Sequence, residues 1–178
     1  MAKATALIAS ALCFLAVAAA HDLAYQVVDG AATQNMFCVE GMVYCDACRV
    51  GFPVGISIQN DNTNGVKIGA AGVELQCRDR ENGTVTATIA TRTDDGGYYN
   101  IYVDQDHEND ICEVHVKSSS MSDCNQIEPE ISSVRVSLAE NTGIVTKSRF
   151  ANPIGFLRKE AHPDCASALD EMGFIPLI

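Results

Sequence analysis

Two cysteines close together, Cys45 and Cys48, end a strand-like run from Phe37 to Tyr44. Further along the chain Cys77, Cys112, Cys124 and Cys165 stand alone. A C-x-x-C pair suits a redox centre, half a zinc site, or two structural bridges that leave one corner. A redox pair needs a helix N-terminus to lower its thiol pKa. The stretch that follows, Arg49-Val50-Gly51-Phe52-Pro53, starts a helix poorly. A zinc site needs a second paired motif, and the other cysteines are unpaired in sequence. Structural bridging is therefore the expectation. Spacing alone does not choose among the possible pairings.

Bridges require an oxidising compartment, and the N-terminus supplies the route. Met1-Ala2-Lys3 is a short basic start, Leu7 to Val17 is apolar, and Ala18-Ala19-Ala20 is a small-residue cleavage site. That order predicts a secretory signal peptide over residues 1–20. Residues 21–36 show no period and read as an N-terminal extension. Residues 37–178 then form a single domain. Cys13 leaves with the signal, so an odd number of cysteines remains. Cys38 is the one left over, either as a free thiol or as an intermolecular bridge in a dimer. The whole chain carries a net charge of −11. Such a surface repels phosphate backbones and anionic lipid, so neither nucleic acid nor membrane insertion is expected after cleavage.

From Phe37 onward the pattern alternates with period two. Phe37, Val39 and Val43 oppose Glu40, Met42 and Tyr44. Similar alternation runs through Val73–Cys77, Val85–Ile89, Tyr99–Val103, Cys112–Val116 and Val134–Leu138. Side chains alternate this way on strands buried on one side. Asn82-Gly83 and Asp94-Asp95-Gly96-Gly97 suit tight hairpins. Asp61–Gly72, Asp104–Asp110 and Ser118–Glu130 read as loops. Many short strands separated by turns predict an all-β antiparallel sandwich or barrel. A short C-terminal helix is predicted after Pro163-Asp164, ending at Gly173. Cys165, Ala168, Leu169 and Met172 would form its inner face.

Asn82-Gly83-Thr84 is a glycosylation sequon at a hairpin tip, and Asn82 is the candidate site. The acidic run Asp104–Asp110 lacks calcium-loop features: as an EF-hand its turn position would be Asn109 and its last position His115. It reads as a solvated turn. His21, His107, His115 and His162 show no ligand spacing. No G-x-S-x-G elbow or phosphate loop is present in the sequence. No catalytic residue, cofactor or metal is therefore assigned. Tyr44, Tyr98 and Tyr102 form a predicted exposed aromatic set that could stack on a sugar.

Glu40-Gly41-x-Val43-Tyr44-Cys45-Asp46-x-Cys48-Arg49 resembles the signature of the olive pollen allergen family of secreted plant proteins, also called the Ole e I or extensin-like pollen family. Further stretches resemble it in the same order: Gly51-Phe52, Leu75-Gln76-Cys77, Glu81-Asn82-Gly83, Asp106-His107, Asp123-Cys124-Asn125 and Asn152-Pro153-Ile154-Gly155-Phe156. The resemblance implies the pairs Cys45–Cys124, Cys48–Cys165 and Cys77–Cys112. It also implies a β-sandwich or barrel of about seven strands. The expected protein is an extracellular or cell-wall glycoprotein without catalytic activity. It would act by binding a cell-surface protein or a wall polysaccharide in pollen-tube growth or wall recognition. Loops such as Pro53–Gly72 and Ser118–Glu130 would offer contact surface. The alternative is a thiol–disulfide oxidoreductase using Cys45 and Cys48.

Overall fold

The alternating stretches become strands wherever one of their faces can be buried. The computed structural model describes residues 36–56 and 66–174. The predicted signal peptide, residues 21–35 and residues 57–65 lie outside them.

The first strand, β1 (Phe37–Asp46), is the axis of one sheet. Its first half pairs antiparallel with β5 (Tyr98–Val103) and parallel with β9 (Ser148–Phe150). Its second half pairs antiparallel with β2 (Val66–Lys67) and parallel with β10 (Ile154–Arg158). Strand β7 (Cys124–Gln126) extends that sheet beyond β10. The second sheet is wholly antiparallel, in the order β4 (Val85–Arg92), β3 (Gly72–Asp79), β6 (Asp110–Ser118), β8 (Ser133–Val136). Both sheets supply the core: Phe37, Val39, Tyr99 and Ile101 from one, Val73, Leu75, Val114 and Val116 from the other.

The two-sheet, all-β architecture with a short C-terminal helix is the one expected. In detail, the described residues hold ten strands, and β1 makes parallel as well as antiparallel pairs. β2, β7 and β9 are too short to display a period. β10 hides for a different reason: Ile154, Gly155, Phe156 and Leu157 are all buried. A strand covered on both faces shows no alternation. The regions read as loops at 61–72 and 118–130 contain β2 and β7, respectively.

The helix α1 (Cys165–Glu171) begins after Asp164, so Pro163 lies just before it rather than in its first turn. Gly173 (φ +81°) ends it, donating to the Asp170 carbonyl at 2.9 Å while Phe174 donates to Leu169 at 2.8 Å. These paired bonds form a Schellman stop. Cys165 is buried and Ala168 and Leu169 pack on the core, but Met172 is exposed. The helix ends before Met172 can reach the sheet.

Candidate functional site

The Cys45/Cys48 corner holds three elements together. Cys45 bonds to Cys124 at the start of β7, and Cys48 bonds to Cys165 at the start of α1. These are pairs that the resemblance implies, as is Cys77–Cys112. Asp46 is buried and accepts the Val50 and Gly51 N–H groups at 3.2 and 2.7 Å, turning the chain back. Arg49 takes a left-handed φ of 59° and donates to Gln126 at 2.8 Å. No helix directly follows Cys48 in the chain, so the C-x-x-C pair is not set at the helix N-terminus that such a redox centre uses. Cys45 and Cys48 have separate, buried partners.

Cys77 and Cys112 face each other across β3 and β6. A His107 ring nitrogen lies within 4.8 Å of both sulfurs, but these are bonded to one another and offer no thiolate to a metal. His107 Nδ1 instead bonds Asp110 Oδ2 at 2.7 Å. Burial alone would raise the Asp110 pKa. Hydrogen bonds from Thr86 and His107, with the charge of His107, outweigh that and lower it. The neighbouring carboxylates serve the loop's own backbone: Asp104 accepts the Gln105 N–H and Asp106 the Glu108 N–H.

Asn82 sits exposed at its hairpin tip. Asp79 Oδ1 accepts the Glu81 and Asn82 N–H groups, and Asn82 Oδ1 accepts the Thr84 N–H at 2.8 Å. The turn is thus made by side chains as well as by Gly83.

The third feature is the outer face of β5, β1 and β9. In the pairing register Cys38 lies between Tyr102 and Ser148, Glu40 lies between Asn100 and Phe150, and Met42 pairs with Tyr98. Tyr98 is 47% exposed, Tyr102 61% and Phe150 80%. The opposite side of β9 is held by Arg149. Its guanidinium is buried, donates to the Ser137 and Ala139 carbonyls at 2.9 and 3.1 Å, and lies 4.7 Å from the Phe37 ring centre. That anchor leaves Phe150 on the outside. Phe150 is not a candidate on sequence grounds, because a three-residue strand carries no readable period.

Tyr44 does not join this face. It is 2% exposed and its hydroxyl donates to the Gly51 carbonyl at 3.3 Å. From Val43 to Asp46 every residue of β1 is buried, because the corner loop and β10 cover this half. Burial, followed by the nearby Asp46 charge, pushes the Tyr44 pKa from its ordinary value of 10.0 up to about 12. A raised folded-state pKa stabilises the protein fully below the unfolded value and loses that effect as pH rises through the folded one. Stability should therefore fall between pH 10.0 and about 12. Tyr44 should ionise together with unfolding, followed by ultraviolet tyrosinate absorbance. Ionisation of every tyrosine well before unfolding would contradict this.

Cys38 is the one unbonded cysteine among the described residues, and it is half-buried. Burial, then Glu40, raises its thiol pKa, against a hydrogen bond with Tyr102 that lowers it. The thiol should stay protonated near neutral pH and alkylate with iodoacetamide more slowly than glutathione does. The protein should run as a monomer on non-reducing gels. Fast labelling or a thiol-sensitive dimer band would show the opposite.

The profile of the family described as "Pollen protein Ole e 1 like" matches residues 35–173. The chain belongs to this pollen Ole e 1-like family. It is 41% identical to an "Olee1-like protein" of Betula pendula over 179 residues, covering 99% of this chain and 97% of that one. It is also 41% identical to "Anther-specific protein LAT52" of Solanum lycopersicum over 177 residues, covering 99% of each chain. "Major pollen allergen Lig v 1" of Ligustrum vulgare is 39% identical over 143 residues, covering 80% of this chain and 92% of that one. Among solved structures, the major plantain pollen allergen Pla l 1 superposes with a TM-score of 0.59 at 31% identity, covering 73% of this chain and 99% of that chain. This Ole e 1-like chain shares that sandwich and carries the three bridges described above.

Proposed function

We propose that this Ole e 1-like protein is a secreted extracellular or cell-wall glycoprotein that works by binding, in pollen-tube growth or wall recognition. The outer face of β5, β1 and β9 carries the reading. It presents Tyr98, Tyr102 and Phe150 to solvent on strands held by cross-sheet pairing. Large rings exposed together on a rigid sheet are a contact surface rather than a folding requirement. The pairing of Cys45 and Cys48 with separate distant cysteines favours binding over the oxidoreductase alternative.

Fluorescently labelled protein should be retained on the surface of growing pollen tubes. The double variant Tyr102→Ala/Phe150→Ala should lower that retention about tenfold, as loss of aromatic anchors does at other interfaces. Equal retention of the folded variant would refute the assignment of this face. Turnover in a disulfide-reduction assay would instead revive the alternative. The glycan is proposed at Asn82, and a glycosidase-sensitive mass shift that disappears in Asn82→Gln is the expected result. A shift that survives the substitution would place the glycan elsewhere.

A further inference from the structure

We propose that the cleft beside Glu40 seats a lysine or arginine side chain from a basic segment of a partner polypeptide. This rests on the binding-face reading above and adds the partner's chemistry to it. The cleft has a volume of about 470 Å³ and is lined by Glu40, Met42, Asp94, Tyr98, Tyr99 and Phe150, among others. Among the described residues, none of those lining it is basic.

Two observations converge on a cation. First, two carboxylates border the cleft, and neither belongs to an ion pair among the described residues. Asp94 is held in place by accepting the Tyr98 N–H at 2.9 Å. Second, Tyr98 and Phe150 expose their rings, and aromatic faces attract ammonium and guanidinium groups. The Tyr98 ring already shows this property, with Lys67 Nζ 4.4 Å from its centre.

Charge selects among ligands. A chain with net charge −11 repels uronate polymers and attracts basic ones. A neutral sugar could stack on the rings but would leave both carboxylates uncompensated.

The test is an NMR titration of the isotope-labelled secreted protein with three probes: a lysine-containing hexapeptide, the same peptide with norleucine for lysine, and a neutral β-glucan oligosaccharide. The lysine peptide should shift the signals of Glu40, Tyr98, Asn100 and Phe150, and its affinity should fall as salt rises. Glu40→Gln keeps the side-chain shape and should weaken binding about fivefold, with Phe150→Ala similar. Equal binding of the norleucine peptide, or no shift at the cleft, would overturn the inference. Should only the oligosaccharide move these signals, the basic partner is wrong while the binding face stands. The pollen-tube retention assay decides the face independently.

Discussion

A chain with Cys48 and Cys165 both replaced by serine should lose about 3–5 kcal/mol of stability. Its Tm should fall by roughly 8–15 °C for a domain of this size. Cys48 and Cys165 are separated by 117 positions. Cys45–Cys124 already joins the same corner to the chain before α1, so the second bridge closes only a further loop of roughly 45 residues. The logarithmic dependence makes that reduction small, and the bridge still constrains the unfolded chain strongly. The folded state has its own reason to need it. Helix α1 has 7 residues and buries only Cys165 fully. Helices that short do not persist without tertiary contacts. Limited proteolysis of the variant should therefore cut first after His162, before the sheets open. The double variant serves here because a single serine would leave a reactive thiol and confuse the result. Calorimetry of both forms under non-reducing conditions measures the loss. A shift below about 1 kcal/mol would mean that the corner is not the main restraint on the C-terminus.

The parts legible in the sequence were those with long one-sided strands. β1, β3, β5 and β6 alternate clearly, and the structure buries Phe37, Val39, Val73, Leu75, Ile101 and Val114 as that alternation requires. The alternation of β1 implies one uniform phase, but its environment changes at Val43. Before that residue one face meets solvent; after it, β10 and the corner loop bury both faces. Tyr44 is therefore core rather than a ligand contact, although it keeps the outward phase of the strand. Phe150 is the converse: no local pattern marks it, yet it lies exposed on this face. Only Arg149, pinned to carbonyls from 137 and 139, shows why the next residue must point outward, and those contacts are long-range. A binding face assembled from β5, β1 and β9 depends on parallel pairing across more than a hundred residues of chain, which no local pattern encodes.

Gly41 and Gly155, each within a stretch that resembles the family, should respond to alanine in different ways. Both serve close packing. At Gly41 an added Cβ would sit 2.3 Å from the Tyr99 hydroxyl oxygen, and its three nearest neighbours are all Tyr99 side-chain atoms. At Gly155 the nearest atom would be the Tyr44 carbonyl oxygen at 2.7 Å, with the Tyr44 ring next. Overpacking of this kind costs about 1–3 kcal/mol, so each alanine should lower stability by at least that range's lower end. The difference appears on rescue. Tyr99→Leu removes the three atoms nearest to the Cβ that Gly41→Ala adds, so the double variant should be less destabilised than the two single changes summed. Tyr44→Leu leaves the carbonyl where β10 pairs with β1, so it should not rescue Gly155→Ala. Gly143→Ala separates backbone strain from crowding, since Gly143 has φ +82° and nothing within 4 Å. It should cost about 1 kcal/mol, with no partner able to recover it. Double-mutant cycles from chemical denaturation give these coupling energies directly. Rescue at both glycines, or at neither, would show that the backbone oxygen and the tyrosine ring do not play the separate parts assigned to them.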